Sequence, residues 1–366
     1  MEQIPIPCSV LRGGTSKGFY FLSEHLPTDK ALRDAQLMAA LGSPDPRQID
    51  GMGGAHPLTS KVAVISRSSR ADIDVDYLFL QVWPDRAEAS DSQNCGNILA
   101  GVGPFAIERG LVPAQAGTTA VRVWMQNTQT RAVVHVHTPE GRVSYFGAAQ
   151  IDGVPGTHAP IFIDFLDIAG STCGALLPTG QPVDVVEGIP VTCIDNGMPV
   201  VCIAASAVGV TGYERPRQLE DSAALTAQVE KIRLSAARLM KLGDVTDTTI
   251  PKMCLVSEPI NGGAINTRTF IPHRVHEAIG VLGAVSVATA CVIDGSVAAN
   301  TARIDGVGDG RRELQIEHPT GHFNVMIDVT SGTGGVVVNR ASLQRTARLL
   351  MRGEILIPDP RGAAPA

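Results

Sequence analysis

Nothing in this sequence spells out a cofactor, a metal or a membrane. Its seven cysteines, Cys8, Cys95, Cys173, Cys193, Cys202, Cys254 and Cys291, are odd in number and never fall as CxxC. That excludes a zinc knuckle and argues against a disulfide framework. No dinucleotide fingerprint is present. The stretch Arg12-Gly13-Gly14-Thr15-Ser16-Lys17-Gly18 is not a P-loop, because Ser-Lys stands in reverse order, the upstream glycine spacing is wrong and no helix pattern follows. Asp72-Ile73-Asp74-Val75-Asp76 lacks the glycine and distal glutamate of a calcium loop and reads as a solvated strand face. His135-Val136-His137 puts two imidazoles on one strand face with no third ligand at readable spacing. Hence no cofactor and no metal is expected. The longest apolar run, 279–293, has 15 residues and includes Ser286, Thr289 and two glycines, against the ~20 a membrane helix needs. Thirty Lys and Arg are scattered among 36 Asp and Glu, for a net charge of −6, which argues against a nucleic-acid surface. Residues 1–7 lack the basic and apolar pattern of a signal peptide. A soluble cytoplasmic protein is expected.

What is present is apolar material for two cores: 366 residues, 44% hydrophobic and 18% charged. This length exceeds one ordinary domain. Short runs rich in Val, Ile and Thr recur at 62–65, 78–82, 121–125, 133–136, 190–194, 200–204 and 325–329, punctuated by Gly, Pro, Asn and Asp. That is strand and hairpin punctuation. Segments 29–41, 222–240 and 341–351 carry helical spacing with polar faces. Segments 97–109 and 279–292 are apolar nearly all round, and such helices must be buried on every side. An α+β protein follows, with two β-rich domains each wrapped around one central helix.

An internal repeat points the same way. A strand, a tight Gly turn and a second strand occur around Arg12-Gly13-Gly14 and again around Asp195-Asn196-Gly197-Met198. From Arg12 to Cys95 is 83 residues, and from Asn196 to Gly280 is 84. Between turn and helix in each half, a lysine opens an apolar strand: Lys61-Val62-Ala63-Val64 and Lys252-Met253-Cys254-Leu255. The pattern assigns 1–184 to the first domain, joined by the C-terminal segment 341–366, and 185–340 to the second. Ser331-Gly332-Thr333-Gly334-Gly335 reads as a hairpin turn.

Four places carry candidate chemistry. In Ser90-Asp91-Ser92-Gln93-Asn94-Cys95-Gly96-Asn97, capping residues precede an apolar helix, so Cys95 sits at a helix N-terminus. The unpaired amides and dipole there favour negative charge, whether thiolate or bound carboxylate. A buried cysteine beside a turn is the plainer alternative. Lys61 closes the Gly-rich loop after Gly51-Met52-Gly53-Gly54. Desolvation disfavours an ammonium and so suits a lysine to general-base work, although alone it reads more readily as a solvated strand end. The Arg12–Gly18 loop offers amides, the hydroxyls of Thr15 and Ser16, and the cations Arg12 and Lys17, a set suited to carboxylates. The alternative is a charged hairpin turn. Arg268, His273, Arg274 and His276 precede the second apolar helix, whose start is a further candidate anion site.

Together, Arg12-Gly13-Gly14-Thr15-Ser16-Lys17-Gly18, Asp50-Gly51-Met52-Gly53-Gly54, Thr59-Ser60-Lys61, Asn94-Cys95-Gly96-Asn97 and Val102-Gly103-Pro104-Phe105-Ala106 resemble the PrpF-like family of methylaconitate isomerases. The similarity runs from about residue 5 to about 352. Segments 42–50 and 271–274 resemble the family's 4-oxalomesaconate tautomerase (Δ-isomerase) branch, which serves bacterial breakdown of gallate, protocatechuate and lignin-derived aromatics. The resemblance implies the diaminopimelate epimerase-like fold, with the active site in the interdomain cleft. It also implies a catalytic pair, Lys61 and Cys95. The epimerases of that fold place a cysteine at the start of both central helices. Here Ile279-Gly280-Val281-Leu282-Gly283 has none, which puts a two-thiol mechanism in doubt and leaves Lys61 as the replacement.

The implied reaction is 1,3-proton transfer on a small unsaturated polycarboxylate, with no cofactor. Lys61 would be the base and Cys95 its partner, with the reversed assignment open. Arg12, Thr15, Ser16, Lys17, Ser60, Asn94, Gly96, Asn97, Asn196, Met198, Arg268 and Arg274 are the candidates for holding carboxylates. A homo-oligomer is expected. Two rival readings stand: aconitate or methylaconitate isomerisation on the same scaffold, and a non-catalytic small-acid binding protein. The second explains neither the thiol nor the desolvated amine.

Overall fold

A computed structural model describes residues 3–92, 94–272, 274–304, 310–332 and 335–359. The chain forms two compact units, residues 1–164 with 344–366, and residues 165–343. Residues 165–184, assigned to the first domain from sequence, therefore belong to the second unit. The reason is local: the buried Asp195 carboxylate accepts the Thr172 and Cys173 amides at 2.7 and 2.8 Å, and its backbone accepts the Gly170 amide. A short connector is thereby tied to the second unit's sheet.

The first unit contains β1 (Gln3–Gly13), β2 (Ser16–Leu22), α1 (Lys30–Leu41), β3 (Lys61–Arg67), β4 (Val75–Val82), β5 (Ala89–Ser90), α2 (Gly96–Glu108), β6 (Gly117–Met125), β7 (Thr130–Thr138) and β8 (Pro160–Leu166), the last running two residues past its boundary. β1–β2 is antiparallel, β2–β3 parallel, β3–β4 antiparallel, β4–β6 parallel and β6–β7 antiparallel.

In the second unit come β9 (Asp184–Val186), β10 (Ile189–Asp195), β11 (Pro199–Ala204), α3 (Pro216–Glu220), α4 (Ala223–Leu239), β12 (Lys252–Ser257), β13 (Ile265–Phe270), α5 (Val281–Ala290), α6 (Val297–Thr301), β14 (Gly310–His318) and β15 (Gly321–Gly332). From β10 to β15 the same alternation returns: antiparallel, parallel, antiparallel, parallel, antiparallel. The repeat is thus topological. Its lysines fall in matching register, Lys61 opposite Gly18 and Lys252 opposite Val200.

Each sheet is covered on both faces, so its strands are apolar on both sides. In the first unit, α2 packs on one face with 98–106 wholly buried. On the other face Leu37 and Leu41 of α1 meet Val10, Phe19, Val62 and Leu80. Asp29 caps α1 by accepting the Leu32 amide at 2.8 Å. In the second unit α5 is buried over 283–290, while Leu225, Val229 and Ile232 of α4 cover Val201, Ile203 and Leu255.

One element departs from the sequence reading. Segment 341–351, expected as a helix, lies in the last strand, β16 (Gly335–Pro358). It pairs with β15 through Leu343 opposite Val325, and with β1 through Arg348 opposite Arg12. Local helical spacing loses to these two long-range ladders. The hairpin expected at 331–335 is bounded by a Gly332–Gly335 pair, and residues 333 and 334 lie outside the described residues, as do Gln93 and His273. The aspartates at 72–76 are a charged face: Asp72, Asp74 and Asp76 meet Arg131, Arg122 and Arg70 at 3.0, 2.7 and 3.1 Å.

Candidate active site

Lys61 opens β3 and is buried, at 7% exposure. Its Nζ donates to Gln81 Oε1 at 2.7 Å and lies 5.1 Å from the centre of the Phe79 ring. Gln81 has little freedom to turn. Its Nε2 donates to the carbonyls of Pro57, Ser60 and Val82 at 3.0, 3.1 and 3.3 Å, so those acceptors direct Oε1 at the lysine. Among the described residues no carboxylate pairs with Lys61.

Strand β4 carries this arrangement toward Cys95. Tyr77, Phe79 and Gln81 alternate along it and so share a face. Lys61 stands opposite Gln81, and Ile65 opposite Tyr77. The Tyr77 hydroxyl donates to Cys95 O at 3.3 Å. One buried stripe thus touches the lysine at one end and the start of α2 at the other. Sequence reasoning missed all three residues. The available signal was one amide, Gln81, within the apolar run Tyr77-Leu78-Phe79-Leu80-Gln81-Val82.

Cys95 is the N-cap residue of α2, extended at φ −135° and ψ 102°, and its side chain makes no cap bond. The first amides of the helix have no intrahelical acceptor. Asn94 Oδ1 accepts the Cys95 amide at 2.8 Å. Cys95 is half-buried, and the other six cysteines are buried. Burial pushes the thiol of Cys8 up to about 11 and those of Cys173, Cys193 and Cys254 to about 12. Those of Cys202 and Cys291 rise by the same cause. Brief iodoacetamide treatment at neutral pH is therefore expected to modify Cys95 first. Peptide mass spectrometry checks this, and equal labelling of Cys173 or Cys291 would count against an accessible thiol at the helix start.

The turn after β1 is seated on α2. Asn97 Nδ2 donates to Thr15 Oγ1 at 3.1 Å, and Asn97 Oδ1 is buried without a partner. Gly14 has φ +51°, and a Cβ there would lie 2.1 Å from Asn97 Oδ1; one on Gly18 would lie 2.5 Å from Lys61 O. Glycine at these two places lets turn, helix start and lysine strand close on one another.

Of the predicted site residues, Cys95, Asn94, Gly96, Asn97 and Thr15 lie at the start of α2, and Lys61 is linked to it along β4 through Gln81 and Tyr77. Ser16 is buried, with its hydroxyl unpartnered. Ser60 is also buried and donates to Gln48 Oε1 at 2.8 Å, supporting the loop before Lys61. Arg12 and Lys17 stand opposite one another on β1 and β2. They fall in alternation with Val10 and Phe19, which face α1, whereas Tyr20 faces α2 and donates to Ile98 O at 2.6 Å. Their side chains thus leave the sheet on the side away from Lys61.

Asn196, Met198, Arg268 and Arg274 belong to the second unit. Asn196 Nδ2 donates to Thr289 Oγ1 at 2.8 Å, and Ser286 Oγ donates to Met198 O at 2.7 Å. This turn is fastened to α5 as its counterpart is to α2. Arg268 donates to Glu214 O, Asn266 Oδ1 and Thr267 O at 2.7, 3.0 and 2.8 Å. Arg274 is exposed. At the N-cap of α5 stands Gly280, and Cys291 is buried at the far end. Lys252, the repeat counterpart of Lys61, is pushed down to about 8 by burial and then by Arg233. His135 Nε2 lies 2.6 Å from Asp164 Oδ2. Among the described residues no helix is long and apolar enough to cross a membrane.

Two β-rich units with repeated topology, each around an apolar helix, with a buried lysine and a half-buried thiol carried by one of them, belong to an isomerase of the diaminopimelate epimerase-like fold. A crystal structure of methylitaconate-delta-isomerase superposes with a TM-score of 0.87 at 34% identity, covering 98% of this chain and 96% of that one. A hydroxyproline epimerase from Agrobacterium vitis shares the fold at TM-score 0.51 and 14% identity, covering 97% and 93%. The PrpF protein family matches residues 3–358, and the chain belongs to that family. It is 60% identical over 351 residues to (4E)-oxalomesaconate Delta-isomerase of Novosphingobium sp. (strain KA1), covering 96% of this chain and 97% of that protein. It is 57% identical over 357 residues to 4-oxalomesaconate tautomerase of Pseudomonas putida, covering 98% and 97%.

Proposed function

We propose that this isomerase moves a proton on 4-oxalomesaconate, with Lys61 as general base and Cys95 as its partner. The observation that carries the reading is the buried Lys61 amine, held 2.7 Å from a neutral amide oxygen and joined to the Cys95 helix start by the Tyr77–Phe79–Gln81 stripe. The substrate's acidic carbon lies between a carbonyl and an unsaturated system. Loss of its proton to Lys61 leaves a dienolate, whose charge spreads over the oxygen and the terminal carbon. Cys95 delivers or stabilises a proton at the new position, two carbons away or on oxygen. Amides at the start of α2 and the polar atoms of Asn97 and Thr15 suit a carboxylate or the developing oxyanion. The similarity to the two oxalomesaconate enzymes supports this substrate. The same reading places the enzyme in bacterial aromatic-acid breakdown, in the cytoplasm and as a homo-oligomer.

An assay of 4-oxalomesaconate, aconitate and 2-methylaconitate tests the choice. We expect kcat/KM to favour 4-oxalomesaconate by about 10²-fold, the scale on which one misplaced polar group discriminates. Preference for 2-methylaconitate would transfer the reading to that rival. Binding of all three without turnover would leave a small-acid binding protein.

A further inference from the structure

A lysine carries its nitrogen at the end of a flexible four-carbon stem, yet proton transfer needs that atom within hydrogen-bond reach of the proton it takes. The Phe79 ring beside Lys61 Nζ offers no directed acceptor. Among the described residues the one hydrogen-bond acceptor of Nζ is Gln81 Oε1, at 2.7 Å. The other end of that amide is committed, because Nε2 donates to the carbonyls of Pro57, Ser60 and Val82. A flipped amide would turn Oε1 onto three carbonyl oxygens and Nε2 onto the amine, so one orientation alone satisfies both ends. Gln81 is buried, and the Val82 amide donates to Ser60 O at 3.1 Å. Pro57 and Ser60 lie in the loop that leads into Lys61. One amide thus fixes both the backbone from which the lysine starts and the atom at which it ends.

A second buried amide holds the same loop by other contacts. Gln48 Oε1 accepts from Ser60 Oγ and from the Ala55 amide, both at 2.8 Å, and Gln48 Nε2 donates to Ser43 Oγ at 3.1 Å. Gln48 therefore folds the loop, whereas Gln81 folds it and places the amine. We propose that Gln81 is a positioning residue of the isomerase, acting on proton transfer through Lys61. The inference rests on Lys61 as the base.

A double-mutant cycle on the whole protein, read by steady-state kinetics with 4-oxalomesaconate, tests this. Gln81→Leu keeps the bulk of the side chain and removes both ends of the amide. Its kcat should fall about 10²-fold, the scale of a misplaced reacting group, with KM held within about threefold. In Lys61→Met protein the same substitution should cost less than about twofold more, since no amine is left to place. Gln48→Leu is the control for the loop alone, and any loss of kcat it causes should be the same with and without Lys61. A thermal melt shows whether each variant folds. If Gln81→Leu does not, the cycle is run with Gln81→Asn, which keeps the amide but draws its oxygen back by about 1.5 Å and should lower kcat about tenfold. Turnover of the Gln81 variant within a few-fold of wild type, or equal losses in the two backgrounds, would overturn the proposal and leave Lys61 as the base. Near-normal turnover of Lys61→Met itself would overturn the base assignment, and this proposal with it.

Discussion

Lys61→Met is expected to lower turnover of 4-oxalomesaconate by about 10²- to 10⁴-fold, the usual contribution of a positioned acid or base. Methionine keeps the length of the side chain and its apolar contact with Phe79 while removing the only basic atom. The melting temperature should fall little, because the bond lost to Gln81 Oε1 is a single one at a strand end. Lys61→Arg should restore little, since guanidinium stays protonated and cannot accept a proton. Steady-state kinetics beside a thermal melt separate the outcomes. Turnover within a few-fold of wild type in Lys61→Met would remove the lysine from the chemistry.

The second large effect is expected at Cys95. Cys95→Ala removes the partner thiol at the N-cap of α2 and should cost about 10²-fold or more in kcat. Cys95→Ser should recover little, because a hydroxyl gives up its proton far less readily than a thiol. The backbone contacts there, Tyr77 to Cys95 O and the Cys95 amide to Asn94 Oδ1, do not involve the thiol, so both variants should fold. Cys291→Ala is the control: Cys291 is buried at the end of α5, and its loss should affect stability rather than kcat. Equal kinetic damage from Cys95→Ala and Cys291→Ala would point to packing rather than catalysis.

Much of this was legible in the sequence where local composition decides structure. The two central helices announced themselves because an apolar sequence on every side can only be buried. Cys95 announced itself because capping residues precede one of them. The lysine in each half marked the repeat, and the sheet topology reproduces it strand for strand. What was hidden depended on register between distant strands. Tyr77, Phe79 and Gln81 look like one more apolar strand until Lys61 is set opposite Gln81. The same limit explains the helix expected at 341–351: its spacing is local, whereas its strand is made by β15 and β1. Arg348 became visible as a neighbour of Arg12 only through that pairing.

The identity of the base is the central claim, and solvent labelling tests it most directly. Wild type and Lys61→Met are incubated with 4-oxalomesaconate in deuterated water, and exchange into substrate and product is followed by proton NMR. If Lys61 removes the proton, the wild type incorporates deuterium at the migrating position, and Lys61→Met does so slower by about the factor lost from turnover. Exchange by Lys61→Met at the wild-type rate would contradict the account, because another residue would then be the base and Lys61 at most an electrostatic neighbour.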